Sequence, residues 1–216
     1  MAVQSDKLRS KEEVEPNPLG HLTATLPAWI YHNQDFFEAE KQNIFLSSWQ
    51  LVGHTSDLPE PGCYITFQLY EERAFVVRTN ADEIKAFHNV CRHRAHILLK
   101  DGQGKCPGKV VCPYHGWTYS NDGSLEYVPG EEEAYYGAVD RDSRSLIAAR
   151  VETYAGIVFA NWDSGAPSLE EYLGDARWCL DVAFNRLDAG TEAIGPVKWI
   201  EPLNWKTAVD NCSDNY

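Results

Sequence analysis

The sequence lacks any stripe of clustered Lys and Arg; 19 basic residues stand against 32 acidic ones, for a net charge of −13. Phosphate contacts require such clusters, so nucleic-acid binding is not expected. The acidity suits solubility, or docking to a protein partner with a basic patch. No apolar run approaches the roughly 18–20 residues of a membrane span. The opening stretch MAVQSDKLRSKEEVEPNPLG has no signal-peptide core and reads as a polar, mobile arm. A cytoplasmic protein with no membrane association is therefore expected. Internal repeats and low-complexity segments are also missing. In a reducing compartment thiols stay free, and Cys/His clusters bind metal more often than they form disulfides. Of the six cysteines, Cys63, Cys91, Cys106, Cys112, Cys179 and Cys212, only Cys91 and Cys112 have a histidine at ligand spacing.

What is present suffices for one large domain, or one domain and part of another: 216 residues, 44% of them hydrophobic. Asn33 to Trp49 reads as a helix, with Asp35 and Glu38 favouring its first turn and Phe37, Ile44 and Phe45 forming an apolar stripe. From Gln50 to Asp163 the period changes to two. Tyr64–Leu69, Ala74–Arg78 and Ile84–Val90 are strand candidates rich in aromatic and β-branched residues. Pro61-Gly62 marks a turn, and Asp122-Gly123 a hairpin between Trp117–Tyr119 and Leu125–Val128. Leu146–Glu152 and Gly156–Trp162 complete a small antiparallel sandwich. Ser168-Leu169-Glu170-Glu171 is a capping box, opening a helix with Leu169, Tyr172, Leu173, Ala176 and Leu180 on one face. Val197–Glu201 looks like a strand leading into Asn204–Tyr216.

Two Cys–His pairs stand out, Cys91-x-His93 and Cys112-x-x-His115, with eighteen residues between His93 and Cys112. Singly, each residue would be a buried small side chain or a satisfied ring; two such pairs within one domain point to metal. Structural zinc sites use Cys₂His₂ sets, but usually keep like ligands together. Here each pair supplies one sulfur and one nitrogen, which suits a binuclear cluster whose irons differ in ligand type. Neutral imidazoles in place of two thiolates raise a cluster's potential from about −400 mV to between about −150 and +300 mV. Gly104, Gly108 and Gly116 would let the main chain approach such a cluster closely.

Cys91-Arg92-His93-Arg94-Ala95 and Cys112-Pro113-Tyr114-His115-Gly116-Trp117 resemble the two cluster loops of Rieske [2Fe–2S] domains. The resemblance implies that Cys91 and Cys112 ligate one iron of the cluster and His93 and His115 the other. High-potential respiratory Rieske proteins add a disulfide and a serine hydroxyl; this chain has His96, Tyr114 and Trp117 at those positions, implying a potential toward the low end of the range. Tyr119 still matches a tyrosine of those proteins. Trp117 is expected to shield the cluster, His96 to lie at the surface beside it, and Arg92 and Arg94 to meet solvent or an electron donor. The other four cysteines are expected to be packing residues or idle thiols.

The resemblance extends further. Leu26–Tyr31, Ser48–His54, Phe87–Cys91 and Asn204–Tyr216 are similar to the N-terminal part of a Rieske non-haem iron oxygenase α subunit of the aromatic-ring-hydroxylating type. This implies an α+β fold with three segments: an arm and helix over 1–49, a β-rich Rieske domain over 50–163, and the start of a catalytic domain over 164–216. In that family the Asn-Trp-Lys helix runs into two histidines which, with a distant carboxylate, hold a mononuclear Fe(II). The sequence stops at Tyr216, one residue before the first of these is due, so a longer polypeptide is expected. Asp214 corresponds to the aspartate that bridges an iron-ligating histidine to a cluster histidine, matching His115, of the neighbouring subunit. The implied partners are a ferredoxin or reductase electron donor, O₂ and a small organic substrate, in a homotrimer with or without a β subunit. The implied activity is hydroxylation of an aromatic or related compound. The alternatives are oxidative demethylation of a quaternary amine, or electron transfer without oxygenase activity.

Overall fold

A computed structural model describes residues 26–188, 190–195 and 200–213. These fall into two compact units, one drawn from residues up to 44 and from 195 onward, the other spanning Phe45–Ile194.

The larger unit is built on antiparallel strands. β1 (Gln50–His54), β2 (Cys63–Leu69), β3 (Glu72–Arg78), β4 (Ile84–His88), β5 (Gln103–Lys105), β9 (Ala148–Tyr154) and β10 (Ile157–Asn161) make a seven-stranded sheet in the order β1-β10-β9-β4-β3-β2-β5. β6 (Lys109–Val111), β7 (Thr118–Ser120) and β8 (Leu125–Tyr127) make a second, three-stranded sheet. Strand alternation explains how the large sheet is buried on both faces. Phe75 and Val77 of β3 join Phe87, Val110, Tyr119 and Leu125 in a core between the sheets, whereas Val76 points oppositely toward Leu58, Ile65 and Val158. Each fully buried Phe contributes about 1.5–3 kcal/mol.

The Asp122-Gly123 hairpin joins β7 to β8, with Thr118 opposite Tyr127. Gly123 has φ 94°, and a Cβ there would collide with the Phe87 ring, so both conformation and packing demand glycine. The Pro61-Gly62 turn is likewise present, with Cys63 N–H donating to Glu60 O at 3.1 Å. Three strands were not anticipated. β5 (Gln-Gly-Lys) and β6 (Lys-Val-Val) are only three residues long, too short to show a period, and β1 opens the apolar pattern where a helix was expected to end.

The helices depart from expectation in instructive ways. Asn33 caps α1, its side chain accepting from Phe36 N–H, but α1 covers only Gln34–Glu40 before a π-turn over Lys41–Phe45. Its buried residues are Glu40 and Lys41 rather than an apolar stripe, and Ile44 is exposed. Ser168 caps its helix as expected, accepting from Glu171 N–H at 3.2 Å. That helix divides at Gly174 into α3 (Leu169–Leu173) and α4 (Ala176–Phe184). The break rotates the face: Leu169, Leu173, Leu180 and Phe184 pack with Trp49, Ile157 and Phe159, while Tyr172 is exposed. α2 (Glu131–Tyr135) is a single turn and a half near the small sheet. The strand expected over 197–201 lies mostly outside the described residues, and Ile200 and Glu201 are irregular.

In the smaller unit α5 (Trp205–Ser213) shows what its opening motif does locally. Asn204 caps the helix through its carbonyl, which accepts from Lys206 N–H at 3.0 Å, and its amide donates to Tyr31 O at 3.0 Å. Lys206 Nζ reaches both oxygens of Glu40, at 2.9 and 2.8 Å, and Trp205 Nε1 donates to the same carboxylate at 3.2 Å. Lys206 also lies 5.4–5.5 Å from the ring centroids of Tyr31, Phe36 and Trp205. A buried pair made this way is costly to half-remove: deleting one partner leaves an uncompensated charge worth about 3–5 kcal/mol. Among the described residues no helix is long and apolar enough to cross a membrane.

Candidate metal centre

Two loops of the larger unit carry the Cys–His pairs, and they are built to one plan. In the first, after β4, Ala95 N–H donates to Cys91 O at 3.0 Å and Cys91 N–H to His96 O at 2.8 Å. In the second, between β6 and β7, Gly116 N–H donates to Cys112 O at 3.0 Å and Cys112 N–H to Trp117 O at 2.8 Å. Both loops need a left-handed residue at the same step, Ala95 with φ 54° and Gly116 with φ 71°. Asn89 fastens the first loop from beneath. Its amide donates to Leu99 O at 2.8 Å, and its carbonyl accepts from Leu98 and Leu99 N–H at 3.2 and 2.9 Å. Asn121 donates to Cys106 O at 3.2 Å on the side of the second loop.

The loops bring all four candidate donors to one end of the core. Cys91 and Cys112 are buried, at 3% and 2% exposure, and belong to the core between the sheets. The rings of His93 and His115 are 4.7 Å apart, at 70° to each other. His93 is half-buried and His115 exposed. Trp117 is buried and lies flat on His93, with ring centroids 5.0 Å apart and planes within 4°. Trp117 was expected to shield the cluster; what the structure shows is its stack on one ring. Tyr119, fully buried, accepts from Arg92 N–H at 3.0 Å and lies 3.4 Å from Cys91 Sγ. Either group of that pair can donate, the phenol to the sulfur or the thiol to the oxygen.

The electrostatics of the pocket disfavour a bare Cys91 thiolate. Burial pushes the Cys91 thiol up, the Tyr119 hydroxyl and the His93 N–H pull it back, and the Cys112 thiol beside it adds a further upward push. The same burial, and the bond to Cys91, drive the Tyr119 phenol well above its ordinary range. Such a thiol stays neutral unless a cation offsets the cost of its thiolate. Burial, the neighbouring His115 and Arg94 all lower the His93 pKa, so its imidazole is neutral and fit to ligate.

These residues fit an iron–sulfur cluster. Nδ1 of His93 is buried without any hydrogen-bond partner, an arrangement that is costly unless a metal takes the lone pair. Two sulfur donors and two ring nitrogens, spread over paired loops, match a two-iron group.

Other expected residues are distributed as follows. Asp214 lies outside the described residues; α5 is described as far as Ser213. His96 is exposed, its ring 5.4 Å from that of Tyr114. Arg94 is exposed, but Arg92 is half-buried, donating to Ser143 O at 3.4 Å and leaving Nε buried without a partner. All six cysteines are free; Cys63 is buried, Cys106 half-buried, and Cys179 and Cys212 are exposed. Gly104 faces the Tyr64 ring in the β2–β5 pairing, and Gly108 meets open space, so of the three glycines only Gly116 shapes a cluster loop. Sequence reasoning missed Asn89 and Tyr135. The former sits two residues before Cys91, a signal that was available; the latter reaches His93 across 42 positions of chain, which no spacing reveals.

A half-barrel of antiparallel strands with two mirrored Cys/His loops at one end defines a Rieske [2Fe–2S] protein, and residues 48–154 match the family described as the Rieske [2Fe-2S] domain. The chain belongs, more particularly, with the Rieske oxygenases. It is 43% identical to biphenyl 2,3-dioxygenase subunit alpha of Rhodococcus jostii over 90% of this chain and 42% of the relative. Benzene 1,2-dioxygenase subunit alpha of Pseudomonas putida is 41% identical over 87% of this chain and 42% of its own length. Naphthalene 1,2-dioxygenase from Rhodococcus sp. superposes with a TM-score of 0.81 at 36% identity, covering 86% of this chain and 42% of that one. The quaternary ammonium Rieske monooxygenase CntA superposes with a TM-score of 0.69 at 37% identity, covering 74% of this chain and 44% of that one. The chain thus spans 42% of the length of the biphenyl and benzene dioxygenase subunits.

Proposed function

We propose that this chain works as the electron-receiving part of a Rieske oxygenase alpha subunit that hydroxylates an aromatic or related small organic substrate with O₂. The observation that carries the reading is the pair of matching loops, which present two buried thiols and two ring nitrogens at one end of a rigid core. Cys91 and Cys112 would hold one iron, His93 and His115 the other. A cluster ligated this way supplies one-electron transfer at a potential above that of all-cysteine ferredoxins. The protein residues do the rest. Trp117 and the core keep water from His93, Tyr119 donates toward Cys91 Sγ, and His115 stands exposed where electrons leave for a neighbouring subunit.

Residues 50–163 form the cluster domain in this reading, and 164–216 open a catalytic domain whose mononuclear iron is the destination of the electrons. Asp214 would orient two histidines across a subunit boundary, one of them His115 of the neighbour, which requires a ring such as a trimer. A ferredoxin or reductase would supply the electrons, and a β subunit can join without altering these roles. The similarity to alpha subunits of biphenyl and benzene dioxygenases favours an aromatic substrate. Structural similarity to CntA supports the second reading, oxidation of a quaternary ammonium compound.

The test is Asp214→Asn in the complete subunit. Iron and acid-labile sulfide should stay at the unsubstituted level, with three irons and two sulfides per subunit, while hydroxylation is suppressed. Near-normal turnover counts against the bridge, and zinc without sulfide defeats the cluster assignment itself.

A further inference from the structure

We propose that Tyr135 is a positioning residue for the cluster: by holding the outer nitrogen of His93 it makes the two histidine ligands electronically unequal. The inference rests on the reading of His93 as an iron ligand. Tyr135 Oη lies 3.2 Å from His93 Nε2, and the Tyr135 ring meets those of His93 and Trp117 edge-on at 6.3 and 6.2 Å. His93 is thus held on two sides, stacked by Trp117 and bonded by Tyr135, while its Nδ1 is buried and unpartnered.

That last atom decides the direction of the hydrogen bond. A neutral imidazole carries one proton, and the nitrogen that binds metal cannot be the one that bears it. With Nδ1 aimed at iron, Nε2 carries the proton and donates it to the Tyr135 oxygen. An acceptor on the outer nitrogen makes the ring a stronger donor to metal, which favours the oxidised over the reduced cluster.

Tyr135 is itself well placed for this task. It is the last residue of α2, whose start follows Gly130 at φ 65° and whose end is forced by Tyr136 at φ 54°. Arg141 ties the segment down, reaching Glu131 at 2.5 Å and the Glu126 carbonyl at 2.6 Å. His115 differs on every count: its ring is exposed and its near neighbours are Tyr114, at 3.7 Å between centroids, and His93. One histidine is therefore locked inside its own chain, and the other is left open to a partner.

The test is Tyr135→Phe in the complete, cluster-loaded protein, with Tyr136→Phe, an exposed neighbour, as control. Iron, sulfide and melting temperature should match the unsubstituted protein while the midpoint potential rises, because the acceptor is lost; Tyr136→Phe should leave the potential alone. An unchanged or lowered potential in Tyr135→Phe overturns the proposal. Hyperfine spectroscopy of the unsubstituted reduced cluster decides the matter even if the variant assembles poorly. Two distinguishable remote histidine nitrogens are expected, and two identical ones overturn it. A protein without iron and sulfide would instead remove the ligand assignment beneath it, a result separable from both.

Discussion

The two cluster loops close with the same pair of hydrogen bonds, yet they are not interchangeable. In one the left-handed step falls on Ala95 and in the other on Gly116; one histidine is half-buried beneath Trp117 and Tyr135, the other is exposed. Backbone geometry is thus common to the loops, as the proposed holding of a sulfur and a nitrogen on one metal group would require. Side-chain surroundings are individual, because each loop has a different second task. The first is tied to the core through Asn89, and the second displays a ring at the surface. What differs between the loops, rather than what they share, reports on function.

The strongest way to break the comparison is to remove a sulfur. Cys91→Ser and Cys112→Ser should each abolish the cluster, because both thiols are buried to the same degree in one core and each is read as a ligand. Visible absorption and labile sulfide measure it; a cluster surviving either change would mean the loops do not share one metal group. Next comes Asn89→Ala, which strips two buried N–H groups and one carbonyl of their partner and should cost about 1–3 kcal/mol. Urea unfolding followed through cluster bleaching should show it, with the effect centred on the first loop. An unchanged midpoint would show that this loop is not held from below. The smallest effect contrasts the left-handed positions. Gly116→Ala adds a Cβ 3.1 Å from Pro129 at a positive φ and should destabilise by about 1–2 kcal/mol. Ala95→Gly should instead be neutral or stabilise by a few tenths to about 1 kcal/mol, since relief of the left-handed strain opposes glycine's extra unfolded-state entropy. Thermal melts of the two variants moving in the same direction would contradict the parallel between the loops.

Much of the site was legible because its information is local. Cysteine and histidine two and three residues apart can only present themselves on a tight loop, and mixed S/N pairs restrict the metal chemistry. The hairpin at Asp122-Gly123 and the cap at Ser168 were readable for the same reason, being turn chemistry written in adjacent residues. Illegible were features whose partners lie far along the chain. The helix after Asn33 was expected to bury an apolar stripe; it buries Glu40 instead, because Lys206, 166 positions away, neutralises it. The helix after Ser168 looked continuous because Gly174 is a mild local penalty, but its glycine conformation, φ 48° and ψ −127°, turns the second half to present Leu180 and Phe184 to the core.

By itself the sequence determined the candidate ligand types, their loop spacing, the strand-rich character and the family, since each depends on residue identity within a few positions. Tertiary structure alone decided which histidine is sheltered and which is exposed, that Trp117 and Tyr135 converge on the same ring, and that a motif at Asn204–Lys206 serves a buried carboxylate. The reason is physical: burial, stacking and charge pairing are properties of surfaces brought together by folding, and no single segment contains both surfaces.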